Sequence, residues 1–241
     1  MQIVAETFWL PKQGNTSAEY EDAFFPKKKF NKDVKLFQTA IADGATETSF
    51  SKEWANLLVQ NCCVVNDKKQ FIQDLPELQK QWYAKVKNND MPWYAQEKFY
   101  LGAYSTMLSL KIEENTYNIM AIGDSCFFHL KGEQLENSFP LTHSEQFNDR
   151  PFLLSSYANN NEGTIENIVE KSGLEWKKGD EFYLMTDALA CWFLGADEKN
   201  SQPWEKIRAL KPGNFKHFIA ELRSTKALRN DDVTLTRLIT K

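Results

Sequence analysis

Five aspartates in this 241-residue chain stand where an apolar run meets a turn. Asp22 lies in "EYEDAFF", Asp43 ends "LFQTAIAD", Asp124 ends "YNIMAIGD", Asp187 ends "EFYLMTD" and Asp231 opens "DDVTLTRLI". A carboxylate in such a place is costly to strip of water unless it is paired, hydrogen-bonded or bound to a cation. Lysine and arginine are not placed regularly beside these aspartates, so simple ion pairing does not explain the pattern. Hard divalent cations take oxygen ligands, and magnesium keeps several waters, so a site needs only a few carboxylates. Two such ions about 3.5–4 Å apart can activate a water and clamp a phosphoryl group during in-line displacement. The competing reading is structural. An aspartate at a strand end commonly caps a turn or a helix, and Asp43 and Asp187 each precede an expected helix. Spacing alone leaves both readings open.

The elements that must carry these residues follow from periodicity. "QIVAETFWL", "EYEDAFF" and "VKLFQTAIAD" read as strands. "FSKEWANLLVQNCCVV" has helical spacing at Trp54, Leu57, Leu58 and Val64 or Val65, and residues 68–100 read as a second helical region interrupted or ended at Pro76 and Pro92. "GAYSTMLSLKI" and "YNIMAIGD" suggest a hairpin, as do "CFFHL" and "QLENSFPL". "NDRPFLLSSYANNNEGTIENIV" is polar and Asn-rich and reads as a surface excursion. "EFYLMTD" is a buried strand, "ALACWFLG", "PWEKIRAL" and "GNFKHFIAELRST" are helices, and "NDDVTLTRLIT" closes the chain as a strand. Strands in antiparallel-type runs with grouped helices make an α+β pattern rather than a doubly wound one. Two sheets packed face to face and covered by helices fit it. No linker or repeat divides the chain, so residues 1–241 are expected to form one domain.

Hydrophobic residues make up 42% and charged residues 26%, enough to build a core and against disorder. The net charge is −4 and the longest basic run is Lys27-Lys28-Lys29, which disfavours nucleic-acid or anionic-membrane partners. No apolar run approaches the roughly 18 residues of a membrane span, and "MQIVAETFWL" lacks a signal peptide's basic start. Cys62, Cys63, Cys126 and Cys191 show no metal or redox spacing, and a cytoplasmic protein with reduced cysteines is expected. His129, His143 and His217 are too scattered for a zinc site.

Taken in order, the aspartate motifs resemble the metal-dependent protein phosphatases of the 2C (PPM) type. "EYEDAFF" resembles that family's Glu-Asp motif, "IADG" its Asp-Gly segment and "AIGDSCFFHL" its Gly-Asp-Ser junction. "GDEFYLMTDAL" resembles its Ser/Thr-Asp-Gly strand end, and "NDDVTLTRLI" its closing Asp-Asn strand. The resemblance implies a four-layer αββα sandwich of two mainly antiparallel sheets flanked by helices. It implies two Mn²⁺ or Mg²⁺ ions, with room for a third, and hydrolysis of phosphoserine or phosphothreonine by a metal-activated water. By position, Asp22, Asp43, Asp187 and Asp231 would be the catalytic metal ligands, the Gly44 carbonyl a further ligand, and Glu21 a partner acting through water. Asp124, with Asp187, would serve the third ion. The expected partner is a phosphorylated protein, and the chain is expected to act as a monomer. A non-catalytic module binding a phosphorylated partner, or a phosphatase of a small phosphate ester, are the alternatives.

The chain departs from that pattern in places. No arginine stands in "NTSAEYED", where the family often has one that grips phosphate, and Lys12 is the nearest upstream cation. Ala188 follows Asp187 in place of glycine, Cys126 stands where arginine is common, and Asp232 replaces the usual asparagine. Asp232 reads as an acceptor behind the ligands or as a solvated turn residue. Thr46, Glu47 and Thr48 are candidates for polar contacts to substrate. His143 is a candidate proton donor, with a surface position as its default. Trp54, Trp82 and Trp93 read as packing residues.

Overall fold

The computed structural model describes residues 1–46, 48–87, 99–148 and 150–241. A six-stranded sheet runs from Phe30–Asp33 (β3) through Gln2–Leu10 (β1), Val233–Thr240 (β13), Glu181–Met185 (β12) and Cys126–Lys131 (β8) to Gln134–Phe139 (β9). A five-stranded sheet runs from Val169–Glu175 (β11) through Thr116–Ile122 (β7), Met107–Ile112 (β6) and Phe37–Ala42 (β4) to Ala23–Phe25 (β2). Neighbours in both sheets are antiparallel. Tyr104–Ser105 (β5) and Leu154–Ser155 (β10) form a separate short pair.

Side-chain alternation along the strands sorts the core into three layers of contact. Ile41, Leu108, Leu110, Ile119, Phe127, Phe182, Leu184 and Leu238 face inward and pack sheet on sheet. Their neighbours Ala40, Ala42, Met107 and Met120 face outward onto helices Ser51–Cys62 (α1) and Lys68–Val86 (α2). Phe128, Tyr183, Met185 and Leu235 face the other way, onto Asp187–Asp197 (α3), Pro203–Arg208 (α4) and Pro212–Ser224 (α5). The fold is the αββα sandwich. Truncating one of the inward rings, Phe127 or Phe182, to alanine would cost about 3–5 kcal/mol.

Trp54, Leu58 and Cys62 give α1 its buried stripe, and Phe71, Leu75, Leu78, Trp82 and Val86 do so for α2. The Asp67 side chain caps α2 by accepting from Gln70 N at 2.8 Å. Pro76 does not interrupt this helix, as its sequence suggests, but lies inside it on the exposed face. Water can take up the carbonyl that proline leaves free there, and the packed face outweighs the local penalty. Pro92 and Trp93 lie outside the described residues. No helix among the described residues is long and apolar enough to cross a membrane.

Two strands carry no sequence signal. β3 ("FNKD") and β11 ("VEKSGLE") are sheet edges with mostly exposed side chains, so nothing forces hydrophobic alternation on them. The Asn-rich excursion is also less superficial than its composition suggests. Leu154, Ser155, Ser156 and Asn161 are buried, with Asn161 bonded to Ser155 through both amide atoms at 2.8 and 2.9 Å.

A polar chain crosses between the sheets. His129 Nε2 meets Asp180 Oδ2 at 2.8 Å, and Nδ1 meets the Tyr117 hydroxyl at 3.1 Å. Burial pushes the imidazole below its usual 6.5 against the pull of Asp180, so the fold favours the neutral ring. The unfolded chain then takes up the proton first as pH falls. The stabilisation is complete above 6.5 and is lost below it. The urea midpoint should therefore drop between pH 7.5 and 5.5, and His129→Gln should flatten that slope; equal slopes in both proteins would rule the imidazole out.

Candidate functional site

Strand register brings the five aspartates to one end of the sandwich. Ala23 pairs with Ala42, which sets Asp22 beside Asp43 across β2 and β4. Met107 pairs with Ile122, so Asp124 follows on the same side. Met185 pairs with both Cys126 and Leu235, which carries Asp187 and Asp231 to that end of the second sheet.

Asp22 is buried at 2% exposure. Its Oδ2 accepts from Thr186 Oγ1 at 3.1 Å and from Thr234 Oγ1 at 2.7 Å. The Tyr20 hydroxyl backs Thr234 in turn. Oδ1 is equally buried and meets no hydrogen-bond donor among the described residues. Burial first, and the charge of Asp43 second, hold this carboxyl well above the usual aspartate range. A buried oxygen without a donor is rare and costly, and a cation would relieve it.

Asp43 is aimed by its own backbone. Its amide donates to Thr106 Oγ1 at 2.9 Å, and its carbonyl accepts from Thr106 N at 2.9 Å and Ser105 Oγ at 2.8 Å. Thr106 Oγ1 also meets Ser125 Oγ at 2.9 Å, tying this loop to the one that carries Asp124. Burial pushes Asp43 up to about 8, with Asp124 and Asp231 adding and Arg229 opposing. The Asp43 residue as a whole is only half-buried, so solvent offsets part of that rise. Burial likewise raises Asp124, against Arg229. Gly44 is required by close approach: a Cβ there would stand 2.8 Å from the Glu21 carbonyl oxygen. Gly123 has φ +93° and would press a Cβ into Thr106.

Asp187 is the first residue of α3, where the helix dipole favours a carboxylate. Thr186, at the capping position, does not cap; its hydroxyl serves Asp22 instead. The Arg229 guanidinium contacts the Asp187 carboxylate, with Nε 3.7 Å from Asp231 Oδ2. Asp232 is buried, and its two oxygens accept from Lys12 N at 2.8 Å and Glu21 N at 2.6 Å. It is thus an acceptor that fastens the N-terminal segment to β13, not a solvated turn residue. Glu21 accepts from Ser51 Oγ at 2.7 Å and lies 4.0 Å from Lys12 Nζ. Lys12, Glu21, Thr46, Ser51 and Lys52 line a cleft of about 360 Å³ beside the carboxylates.

Several sequence expectations change here. Asp43 caps no helix, because α1 begins only at Ser51. His143 pairs with Glu198 at 3.7 Å, at the far end of α3 from Asp187, about 16 Å away by helical rise. That distance removes it from the proton-donor role. Thr48 is spent on its own loop, donating to the Ala45 carbonyl, and Glu47 lies outside the described residues. Cys126 is core, and burial pushes its thiol up, away from reactivity. Trp54 and Trp82 are fully buried packing residues. Thr186, Thr234 and Tyr20 were not foreseen. The signal for the two threonines was a hydroxyl one residue before Asp187 and another two residues after Asp232, which only the pairing of β12 with β13 turns toward Asp22. Among the described residues, no three His, Cys, Asp or Glu side chains already stand in ligating geometry around one point.

The sequence pattern of the protein phosphatase 2C family matches residues 15–231. The chain belongs to that family. No curated protein matches the sequence. Protein phosphatase 2C structures share the fold at low identity. The serine/threonine phosphatase PstP/Ppp of Mycobacterium tuberculosis is 15% identical with a TM-score of 0.63, each chain covered in full. The catalytic domain of PstP in complex with two manganese ions is 15% identical with a TM-score of 0.55, covering 98% of both chains. RsbX in complex with magnesium is 18% identical with a TM-score of 0.54, covering 100% of this chain and 96% of its own.

Removing Asp232 orphans two amides in this protein phosphatase 2C chain. Asp232→Ala should lose about 2–4 kcal/mol in urea unfolding, while Asp232→Asn, which keeps one acceptor oxygen, should lose less. Equal losses would mean that the carboxylate is not what fastens Lys12 and Glu21.

Proposed function

We propose that this chain is a divalent-cation-dependent phosphoprotein phosphatase acting on phosphoserine or phosphothreonine, with residues 1–241 forming one catalytic unit. The observation that carries the metal reading is Asp22 Oδ1, buried without a donor among carboxylates whose pKa values are raised. All the oxygens gathered there are hard ligands, which suits Mn²⁺ or Mg²⁺. Asp22, Asp43, Asp187 and Asp231, with the Gly44 carbonyl, would hold two ions. Asp124 with Asp187 would hold a third, and Glu21 would act through water. Family membership supports the phosphatase reading, as do the manganese and magnesium named for the two structural relatives.

The bound ions would supply Lewis acidity, lowering the pKa of a water and offsetting charge on the phosphoryl oxygens. The chain's own residues do the rest. Thr106 and Ser105 hold the Asp43 backbone in place beside Asp22. Thr186 and Thr234 donate to one Asp22 oxygen and leave the other for a cation. Lys12, 3.1 Å from Thr46 Oγ1 at the cleft wall, would meet the substrate phosphate as a point charge in place of a bidentate arginine. The protein would act in the cytoplasm, as a monomer.

The test is hydrolysis of p-nitrophenyl phosphate and of a phosphopeptide panel, with and without Mn²⁺. Activity should require the cation and fall at least about a hundredfold in Asp43→Asn and Asp187→Asn. Cation-independent turnover untouched by both substitutions would overturn the reading. Because Asp43 must shed its proton to bind a cation, the apparent Mn²⁺ affinity should also rise as pH approaches about 8. A pH-independent affinity between 6 and 8 would contradict the protonation drawn here.

A further inference from the structure

Residues 11–13, just after β1, are held one by one from the C-terminal part of the chain. Arg223 donates to the Pro11 carbonyl at 3.3 Å, and Asp232 accepts from the Lys12 amide at 2.8 Å. Asn230 accepts from the Gln13 amide at 2.7 Å and donates to its carbonyl at 3.2 Å. A cavity of about 560 Å³ opens between this segment and α5, lined on the helix by Lys216, Ala220 and Ser224. These bonds, rather than close packing, therefore hold the segment. The Lys12 ammonium meets Thr46 Oγ1 at 3.1 Å on the cleft wall, and its side chain is only 21% exposed. A lysine carries a point charge on a flexible stem, so its backbone must be fixed if the charge is to stand in one place.

We propose that Asp232 is a positioning residue that sets the Lys12 cation against the carboxylate end of the site, so that one phosphate can meet both. The proposal rests on the phosphatase reading above, in which Lys12 meets the substrate phosphate. Asp232 is buried, and its second oxygen accepts from the Glu21 amide at 2.6 Å, one residue before Asp22. A single carboxylate thus spans the segment that carries Lys12 and the one that carries Asp22. Two amide donors need two acceptor oxygens. Asparagine supplies one, and would turn its own N–H groups toward the other amide. Two departures from the family's pattern, aspartate for asparagine at 232 and no arginine in "NTSAEYED", become one arrangement: a cation supplied from further upstream and the acid that holds it there. A displacement of about 1 Å in a substrate-positioning group is enough to weaken its hold on the phosphate.

A double-mutant cycle on the intact chain tests this. KM and kcat for p-nitrophenyl phosphate, and the affinity for inorganic phosphate in MgCl₂, are measured for the wild type, Lys12→Met, Asp232→Asn and the double variant. Lys12→Met should raise KM and weaken phosphate binding about tenfold, as loss of one charged contact would. Asp232→Asn should move both in the same direction, mainly in KM rather than kcat, and should add nothing in the Lys12→Met background. A merely structural loss would multiply with that of Lys12→Met instead. If Asp232→Asn fails to fold, Asn230→Ala, which frees Gln13 on the same segment, carries the same comparison. An unchanged KM in the folded variant, or equal added losses in both backgrounds, overturns the proposal. If no protein turns over the ester while the phosphate affinities still show the cycle, the positioning role holds and the phosphatase reading falls. If inorganic phosphate does not bind either, both fall together.

Discussion

The repulsion between carboxylates that share one poorly solvated end of the sandwich is the constraint on which this structure depends. Asp22, Asp43 and Asp124 each sit above the usual aspartate range, with burial as the first cause, and other carboxylates add to the rise at all three. Charges of one sign held close at low dielectric are unfavourable unless protons or cations intervene. The fold spends its hydroxyls on the problem. Thr186, Thr234 and Tyr20 serve Asp22, and Thr106 with Ser125 positions Asp43. In the function proposed above, divalent ions would meet the remaining deficit.

That arrangement explains why the site lies where two sheets end together. Antiparallel register converts five distant sequence positions into neighbours, and the sheet interface of Phe127, Phe182, Ile41 and Leu108 keeps the two halves from sliding. Asp232 adds a second fastening by holding the amides of Lys12 and Glu21. The lining of the cleft and the carboxylates beyond it are thus tied through one buried side chain.

The departures from the family's sequence pattern fall mostly around this centre. Ala188 is accommodated because α3 begins at Asp187 and its backbone is helical. Cys126 points into the core between β8 and the helices, so no cation stands there. Asp232 adds an acidic group to an already acidic end but directs both oxygens at backbone amides. The basic groups left at the cleft are Lys12 and Lys52 on one wall and Arg229 on the carboxylates.

The sequence by itself determined the sandwich and the identity of its acidic residues. Alternation in "EFYLMTD" and "YNIMAIGD", helical spacing in "GNFKHFIAELRST" and an aspartate at each strand end follow from local chemistry. Those signals fail where burial does not constrain a segment, as at the edge strands β3 and β11, or where packing overrides a local penalty, as at Pro76 in α2. The Asp43 turn shows the limit most clearly. Locally it read as a cap, and only pairing with β2 and β6 shows that it stands beside Asp22. Only the tertiary structure decided that Thr186 serves Asp22, that Asp232 binds the N-terminal segment and that Arg229 reaches Asp187. Each contact joins residues distant in the chain or turned by a loop, and no local propensity encodes a distance that the assembled sheets create.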